Sequence, residues 1–190
     1  MKVLIIFGSP RKEGNTASLL SPFMDELEKL GAETELIDVY EKNIAGCRVC
    51  FECQKEESLY CIIDDDMQPV YRAVEAADLV VIAAPVYIWS VPAPVKAVLD
   101  RLAYASCRYY GENPSGESYL KGRKFAVLTT HGYPREKATD LLDEEMKRFC
   151  KHCYAEYMGI HSERQRSYKE KFMDEEKAMD ARDFARRLVK

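Results

Sequence analysis

The chain of 190 residues contains no apolar run approaching the ~20 residues that a membrane-spanning helix needs. Its N-terminal apolar stretch, Val3 to Phe7, is too short for the core of a secretion signal, so a cytoplasmic protein is expected. No excess of positive charge is present: 28 Lys and Arg stand against 32 Asp and Glu, a formal charge of −4, which argues against non-specific nucleic-acid binding. Internal repeats and low-complexity tracts are missing. So are G-x-x-x-x-G-K-S/T and G-x-G-x-x-G, which removes the ATP/GTP P-loop and the dinucleotide fingerprint. No Ser/His/Asp set and no pair of carboxylates stands at a telling spacing, so no protein acid or base is expected to be essential. What remains is ordinary for one globular domain over residues 1–190 with a sizeable core. The exception is cysteine: there are seven, and four fall between positions 47 and 61. In a reducing compartment such crowding points to metal or redox chemistry before structural disulfides.

The chain is organised around Phe7-Gly8-Ser9-Pro10-Arg11-Lys12-Glu13-Gly14-Asn15-Thr16. The unbroken apolar run before it reads as a buried parallel strand. After it, Leu19, Leu20, Phe23, Met24, Leu27 and Leu30 mark one face of a helix from about Asn15 to Leu30, with Pro22 as an interruption and Gly31 as a stop. A polar loop between a strand's carboxyl end and a helix N-terminus is where open α/β sheets bind ligands. Ser9, Arg11, Asn15 and Thr16, with the free N–H groups and positive dipole end of the helix, suit a terminal phosphomonoester. An ordinary polar loop with a cap at Asn15 is the alternative.

Thr34 to Val39 reads as a second, more polar strand near a sheet edge, and Asp78 to Ala84 as the clearest strand of all. The latter runs into Pro85-Val86-Tyr87-Ile88-Trp89-Ser90 and a helix with Val95, Val98, Leu99 and Leu102 at i, i+3, i+4, i+7. Pro85, Val86, Tyr87, Ile88 and Trp89 offer rigid backbone groups and flat side chains, as a planar heterocycle requires; core or interface aromatics are the alternative. Lys124 to Thr130 is a further strand, ending in Thr130, His131 and Gly132. His131 is either a hydrogen-bond donor to a bound ligand or an exposed loop histidine. A helix from about Glu136 to Cys150, a strand from Cys153 to Ile160, a polar stretch from His161 to Lys171 and a helix capped at Asp174 complete the chain. Asp64-Asp65-Asp66 reads as a start signal for a helix over Met67 to Ala77 ahead of a metal site. Cys150 and Cys153 would straddle a helix end and a strand start as partly buried thiols. Residues 104–122 form a long loop that is either a lid or a dimer contact.

Gly8-Ser9-Pro10-Arg11 with Gly14-Asn15-Thr16 resembles the FMN-phosphate loop of the NADPH-dependent FMN reductase group of flavodoxin-like proteins. Residues 85–94, followed by Lys96, Asp100 and Arg101 in a Lys-x-x-x-Asp-Arg ending, resemble that group's isoalloxazine loop. Five strand candidates alternate with five helix candidates, which makes a three-layer α/β domain with a parallel sheet. The resemblance implies flavodoxin-like strand order 2-1-3-4-5 with FMN between the first and third strands. Ser9, Arg11, Asn15 and Thr16 would hold the phosphate, with Pro85, Val86, Tyr87, Ile88, Trp89, Thr130, His131 and Gly132 around the ring.

Cys47, Cys50, Cys53 and Cys61 follow C-x2-C-x2-C-x7-C, and the compact triplet resembles the cluster motif of the iron–sulfur flavoproteins. A 4Fe–4S cluster, a zinc ion, and metal-free thiols beside the flavin all stay open on this spacing. The resemblance implies an oxidoreductase in which NAD(P)H reduces FMN and the electrons pass to a quinone, a nitro compound or a protein acceptor. The alternatives are an electron carrier fed by ferredoxin, and a flavodoxin-like module that binds another phosphomonoester or a partner. A homodimer or larger homo-oligomer is expected, with Trp89 and Tyr109-Tyr110 at the contact.

Overall fold

A computed structural model describes residues 1–55, 60–107, 118–134 and 137–190. Its elements are β1 (Lys2–Phe7), α1 (Asn15–Lys29), β2 (Glu33–Asp38), α2 (Met67–Ala76), β3 (Leu79–Pro85), α3 (Ala93–Ser106), β4 (Lys124–His131), α4 (Asp140–Cys153), β5 (Glu156–Arg164) and α5 (Glu175–Val189). The strands run parallel in the order β2-β1-β3-β4-β5, the flavodoxin-like arrangement expected from the sequence.

The central strands bury both faces, which is why they read as continuous apolar runs. Val3, Ile5, Phe7, Leu79, Val81, Ala83, Ala126 and Leu128 pack under α1 and α5 with Leu19, Phe23, Phe184 and Leu188. The alternate residues Leu4, Ile6, Val80, Ile82, Ala84, Phe125 and Val127 pack on the other side against α2, α3 and α4. Side chains of a strand alternate between faces, so each strand serves both cores at once.

Several boundaries have local causes. Pro22 does not end α1; the helix continues through it with Pro22 buried, at the loss of one helical N–H donor. The cap of α1 is Gly14, and Asn15 is the first helical residue rather than the cap. Gly31, at φ 75°, closes the helix, with Ala32 N–H on the Leu27 carbonyl at 3.0 Å and Gly31 N–H on Glu28 at 2.9 Å.

The last third departs further from expectation. α4 runs to Cys153 instead of Cys150 and stops where Tyr154 turns left-handed at φ 57°. Cys150 and Cys153 therefore both lie in its last turn, and both are fully buried. Part of the expected start of this helix, residues 135–136, lies outside the described residues. β5 starts at Glu156 and continues past Ile160 to Arg164. Between Phe125 and Val127 the β4–β5 register slips, from Phe125 opposite Tyr157 to Val127 opposite Ile160. β5 thus holds one extra residue, and Gly159 at φ 102° supplies the backbone conformation for that bulge. No helix among the described residues is long and apolar enough to cross a membrane.

The acidic triplet is used differently from the simple cap expected. Asp66 is the N-cap residue of α2, but its side chain makes no cap bond; it accepts from Asn43 N–H at 2.7 Å. Asp65 accepts from Met67 N–H at 3.0 Å and Ala45 N–H at 2.9 Å, and both its oxygens contact Arg101 Nη1, at 2.8 and 2.6 Å. The side chains of this pair are 0% and 7% exposed. Burial raises the Asp65 pKa, but the hydrogen bonds from Arg101, Ala45 and Met67 and the guanidinium charge outweigh it and hold the carboxyl below its ordinary value.

Two outcomes test this packing. A Cβ at Gly8 would lie 2.1 Å from Val95 Cγ2 and 3.2 Å from Ala84 Cβ. Gly8→Ala is expected to lower unfolding stability in urea by about 1–3 kcal/mol, with partial recovery in the double variant carrying Val95→Ala. Asp65→Asn leaves the buried Arg101 without its counter-charge and is expected to cost about 3 kcal/mol at neutral pH. Because the folded-state pKa of Asp65 is lowered, its contribution is present above the ordinary carboxylate value of about 4 and is lost as pH falls through the lowered one. The gap between wild type and Asp65→Asn therefore narrows on acidification below about pH 4.

Candidate functional site

The carboxyl ends of β1, β3 and β4 bring three loops together, and hydrogen bonds lock them to each other. Gly8 N–H donates to the Ala83 carbonyl at 2.9 Å, and Val86 N–H donates to the Thr130 carbonyl at 2.9 Å. Thr16 Oγ1 lies 2.9 Å from Thr130 Oγ1, with both residues buried. The first and fourth strands' loops are thus joined directly, although β3 lies between them.

Within the first loop, buried Ser9 both accepts from Arg11 N–H at 3.3 Å and donates to the Arg11 carbonyl at 3.2 Å. Gly14 N–H donates to the Arg11 carbonyl at 3.1 Å, which closes the loop on itself. α1 has no side-chain cap at Gly14 and no acidic residue in its first turn. The first-turn N–H groups of a helix have no intrahelical acceptor, and here neither a capping oxygen nor a repelling carboxylate competes for them. By contrast, Asp174 caps α5 by accepting from Lys177 N–H at 2.9 Å. Arg11 is exposed at the rim. This donor set fits a phosphate dianion.

The second loop is a tight hairpin. Tyr87 N–H donates to the Ser90 carbonyl at 2.9 Å and Ser90 N–H to the Tyr87 carbonyl at 3.1 Å. The two residues between them, Ile88 and Trp89, take φ 51° and 60°. Left-handed backbone at two bulky residues is costly, and such strain clusters at functional loops. Tyr87 and Ile88 stand exposed at the tip. Trp89 stacks on Tyr133 at 4.9 Å between ring centroids, and its Nε1–H donates to the Lys137 carbonyl at 2.6 Å. Its indole is thus held in place within the chain, half exposed; Tyr109-Tyr110, expected with it at a dimer contact, lies outside the described residues.

Thr130 and His131 are buried and Gly132 is exposed. His131 is not the exposed loop histidine that was one expectation: it is 5% exposed, and its Nδ1, 2.9 Å from the Tyr133 carbonyl, serves as the donor there. It also lines a cavity of about 530 Å³ under the β5–α5 connection, with Ser162, Arg164, Gln165 and Phe172. Gln165 is a residue the sequence reading missed. It accepts from Asn15 Nδ2 at 3.1 Å, and its own N–H donates to the His131 carbonyl at 2.8 Å. One glutamine thereby ties the first loop to the end of β4. Nothing in the polar composition of that stretch distinguished it.

The cysteine loop follows β2 and packs on α3. Cys47, Cys50, Cys53 and Cys61 line one small apolar cavity together with Val49, Phe51, Ile63, Arg101 and Tyr104. Val49 and Phe51, on either side of Cys50, have φ 52° and 60°, so the chain curls tightly there. Val49 N–H donates to Cys47 Sγ at 3.4 Å, and Cys53 Sγ–H to the Tyr104 carbonyl at 3.6 Å. Gln54 Nε2 also donates to that carbonyl, at 2.6 Å. Burial pushes the Cys53 thiol up; Gln54 opposes this, while Cys61, Cys47 and Cys50 add to it. Among the described residues no three His, Cys, Asp or Glu side chains group closely enough for a single metal ion. The shared cavity, the N–H aimed at sulfur and the thiol donor set fit a sulfur-rich cluster that spans more space than one ion.

Cys150 and Cys153 are fully buried rather than the partly buried thiols expected. Cys107 ends α3, buried, with Sγ 3.1 Å from the His152 carbonyl. A hydrogen bond from Cys153 draws its pKa down, and the same contact pushes Cys153 up.

Comparison with known proteins agrees with this geometry. The family model for NADPH-dependent FMN reductase matches residues 1–152. An iron-sulfur flavoprotein of Archaeoglobus fulgidus is 36% identical over 141 residues, 73% of this chain and 59% of its own length. An iron-sulfur flavoprotein of Methanosarcina thermophila is 37% identical over 101 residues, 53% of this chain and 52% of its own length. The chain thus spans little more than half the length of these curated relatives. Among solved structures, an NAD(P)H:quinone oxidoreductase from Methanothermobacter marburgensis superposes with a TM-score of 0.74 at 19% identity, over 99% of this chain and 96% of that one. An FMN-dependent NADH-azoreductase from Bacillus anthracis, in complex with FMN, superposes with a TM-score of 0.75 at 16% identity over 100% of both. At these identities the structural likeness establishes the flavodoxin-like fold. The family match covers four-fifths of the chain and includes the loops after β1, β3 and β4: the chain belongs to the NADPH-dependent FMN reductase family.

Proposed function

We propose that the protein is an FMN-dependent oxidoreductase that accepts electrons from NADPH or NADH and delivers them to a quinone, a nitro compound or a protein acceptor. The observation that carries this reading is the locked set of three loops at the β1/β3 switch point, beside a helix N-terminus left open to an anion. FMN, when bound, supplies the hydride and electron chemistry. The chain's part is position and charge. Ser9, Asn15, Thr16 and the first-turn N–H groups of α1 would receive the phosphate, with Arg11 supplying positive charge at the rim. The backbone of Pro85 to Trp89, with Tyr87 and Ile88, would hold the ring. Thr130, His131 and Gly132 border the far end, and Gln165 keeps that end in register with the phosphate loop through Asn15. Protein purified with FMN is expected to bleach its flavin absorption when mixed anaerobically with NADPH or NADH and to recover it on addition of a quinone. Absence of bleaching with both nucleotides removes the reductase reading. Arg11→Ala is expected to weaken FMN binding by about 1.5–3 kcal/mol, roughly tenfold to a hundredfold in Kd, as measured by fluorescence titration.

A second reading is favoured by the cavity that the four cysteines share. Cys47, Cys50, Cys53 and Cys61 would hold a 4Fe–4S cluster, which adds one-electron transfer and admits ferredoxin as the donor. Similarity to the iron-sulfur flavoproteins supports it. Protein prepared without oxygen is expected to contain iron and inorganic sulfide. Cys53→Ser is expected to reduce both to background while FMN remains bound, measured by elemental and visible-absorption analysis; iron-free wild type after reconstitution removes this reading.

A further inference from the structure

α3 places Arg101 in the wall of the four-cysteine cavity, and this arginine does more than a tether needs. Its side chain is 0% exposed. Among the described residues its hydrogen bonds run from the terminal nitrogens: Nη1 to both oxygens of Asp65 and, at 3.3 Å, to the Ala45 carbonyl; Nη2 to the Ile63 carbonyl at 3.3 Å. The guanidinium also lies beside the Tyr71 hydroxyl and opposes the rise that burial causes in its pKa. The Tyr71 ring lies 6.0 Å from the guanidinium carbon. The Nε atom is enclosed and has no hydrogen-bond partner among the described residues. A buried donor on a charged group without an acceptor is rare in folded proteins and asks for a partner.

Asp65 does not supply that partner, because both of its oxygens converge on Nη1 and leave the Nε edge unused. If tethering residues 43–66 to α3 were the whole purpose, a lysine beside Asp65 would do. The cavity itself supplies the other half of the argument. Four thiolates around a cluster bring net negative charge among Val49, Phe51, Ile63 and Tyr104, and Arg101 is the buried cation in that wall. Arg48 also lines the cavity but is exposed to solvent.

We propose that Arg101 donates its Nε–H to a sulfur of the iron–sulfur cluster held by Cys47, Cys50, Cys53 and Cys61 and so raises the reduction potential of that cluster. The inference rests on the cluster reading given above. An N–H···S bond stabilises the more electron-rich, reduced cluster more than the oxidised one, as a nearby positive charge does. Arg101 is then a tuning residue, with Asp65 setting its orientation and offsetting part of its charge.

The test is pulsed EPR on wild-type protein grown with arginine labelled with 15N at Nε, purified without oxygen and reduced with dithionite. A 15N coupling to the reduced cluster is expected. It should persist in Arg48→Lys and vanish in Arg101→Lys, which keeps a cation beside Asp65 but lacks Nε–H. Arg101→Lys is also expected to retain wild-type iron and sulfide and to titrate at a more negative cluster potential, with the FMN potential unmoved. A clustered wild-type protein without the coupling overturns the proposal, as does an Arg101→Lys cluster that titrates at the wild-type potential. If Arg101→Lys loses its iron, the wild-type and Arg48→Lys spectra decide alone: a coupling present in both supports the proposal, and its absence from either overturns it. A wild-type protein that gives no cluster EPR signal after reconstitution with iron and sulfide fails the cluster reading itself, a result distinct from a clustered protein without coupling, and this proposal falls with it.

Discussion

All five strands run the same way, so their carboxyl ends share one edge, and the position of β1 between β2 and β3 decides what that edge can hold. The chain leaves β1 through α1 towards β2 and returns on the opposite side as β3. The loops after β1 and β3 therefore diverge and leave a crevice between them. Nothing in a single loop creates that space. The backbone bonds from Gly8 to Ala83 and from Val86 to Thr130, with the paired hydroxyls of Thr16 and Thr130, fix its walls to the sheet. A ligand in the crevice meets groups that are already oriented, so little ordering entropy remains to be lost on binding.

α3 joins the crevice to the cysteine loop. Its N-terminus follows directly from the hairpin of Tyr87 to Ser90, and two turns later it presents Arg101 and then the Tyr104 carbonyl to the cysteines. The Lys-x-x-x-Asp-Arg ending is divided between these tasks. Lys96 and Asp100 pair on the surface, while Arg101 goes inward to Asp65. A single rigid helix thus fixes the spacing between the hairpin of Tyr87 to Ser90 and the thiols.

The strands and the helical faces were legible in the sequence because burial on both sides of a parallel sheet forces unbroken apolar runs, as in Val3–Phe7 and Leu79–Ala84. The position of the first loop was legible because it lies between an apolar run and a helical face, and its Ser9–Arg11 turn closes locally. What escaped notice depends on contacts distant in sequence. Gln165 is 150 positions from Asn15. Asp65 resembles a helix cap until Arg101, 36 positions on, is placed beside it. The stack of Trp89 on Tyr133 joins residues 44 positions apart. The ends of α4 and β5 were misplaced because a left-handed Tyr154 and a bulge leave no trace in hydrophobic period.

That bulge has a consequence for how the molecule behaves in a crowded solution. An open sheet has two rims, each with a row of backbone donors and acceptors that a strand from another copy can extend. β2 is short, and its rim bears Glu33 and Glu35, the latter paired with Lys2. β5 is longer, nine residues, and would be the more inviting template. The extra residue at Gly159 bulges the strand, which increases its local twist, and Glu156, Glu163 and Arg164 put charge along it. The glycine that hid the strand's true length thus sits in the rim where another strand would have to pair.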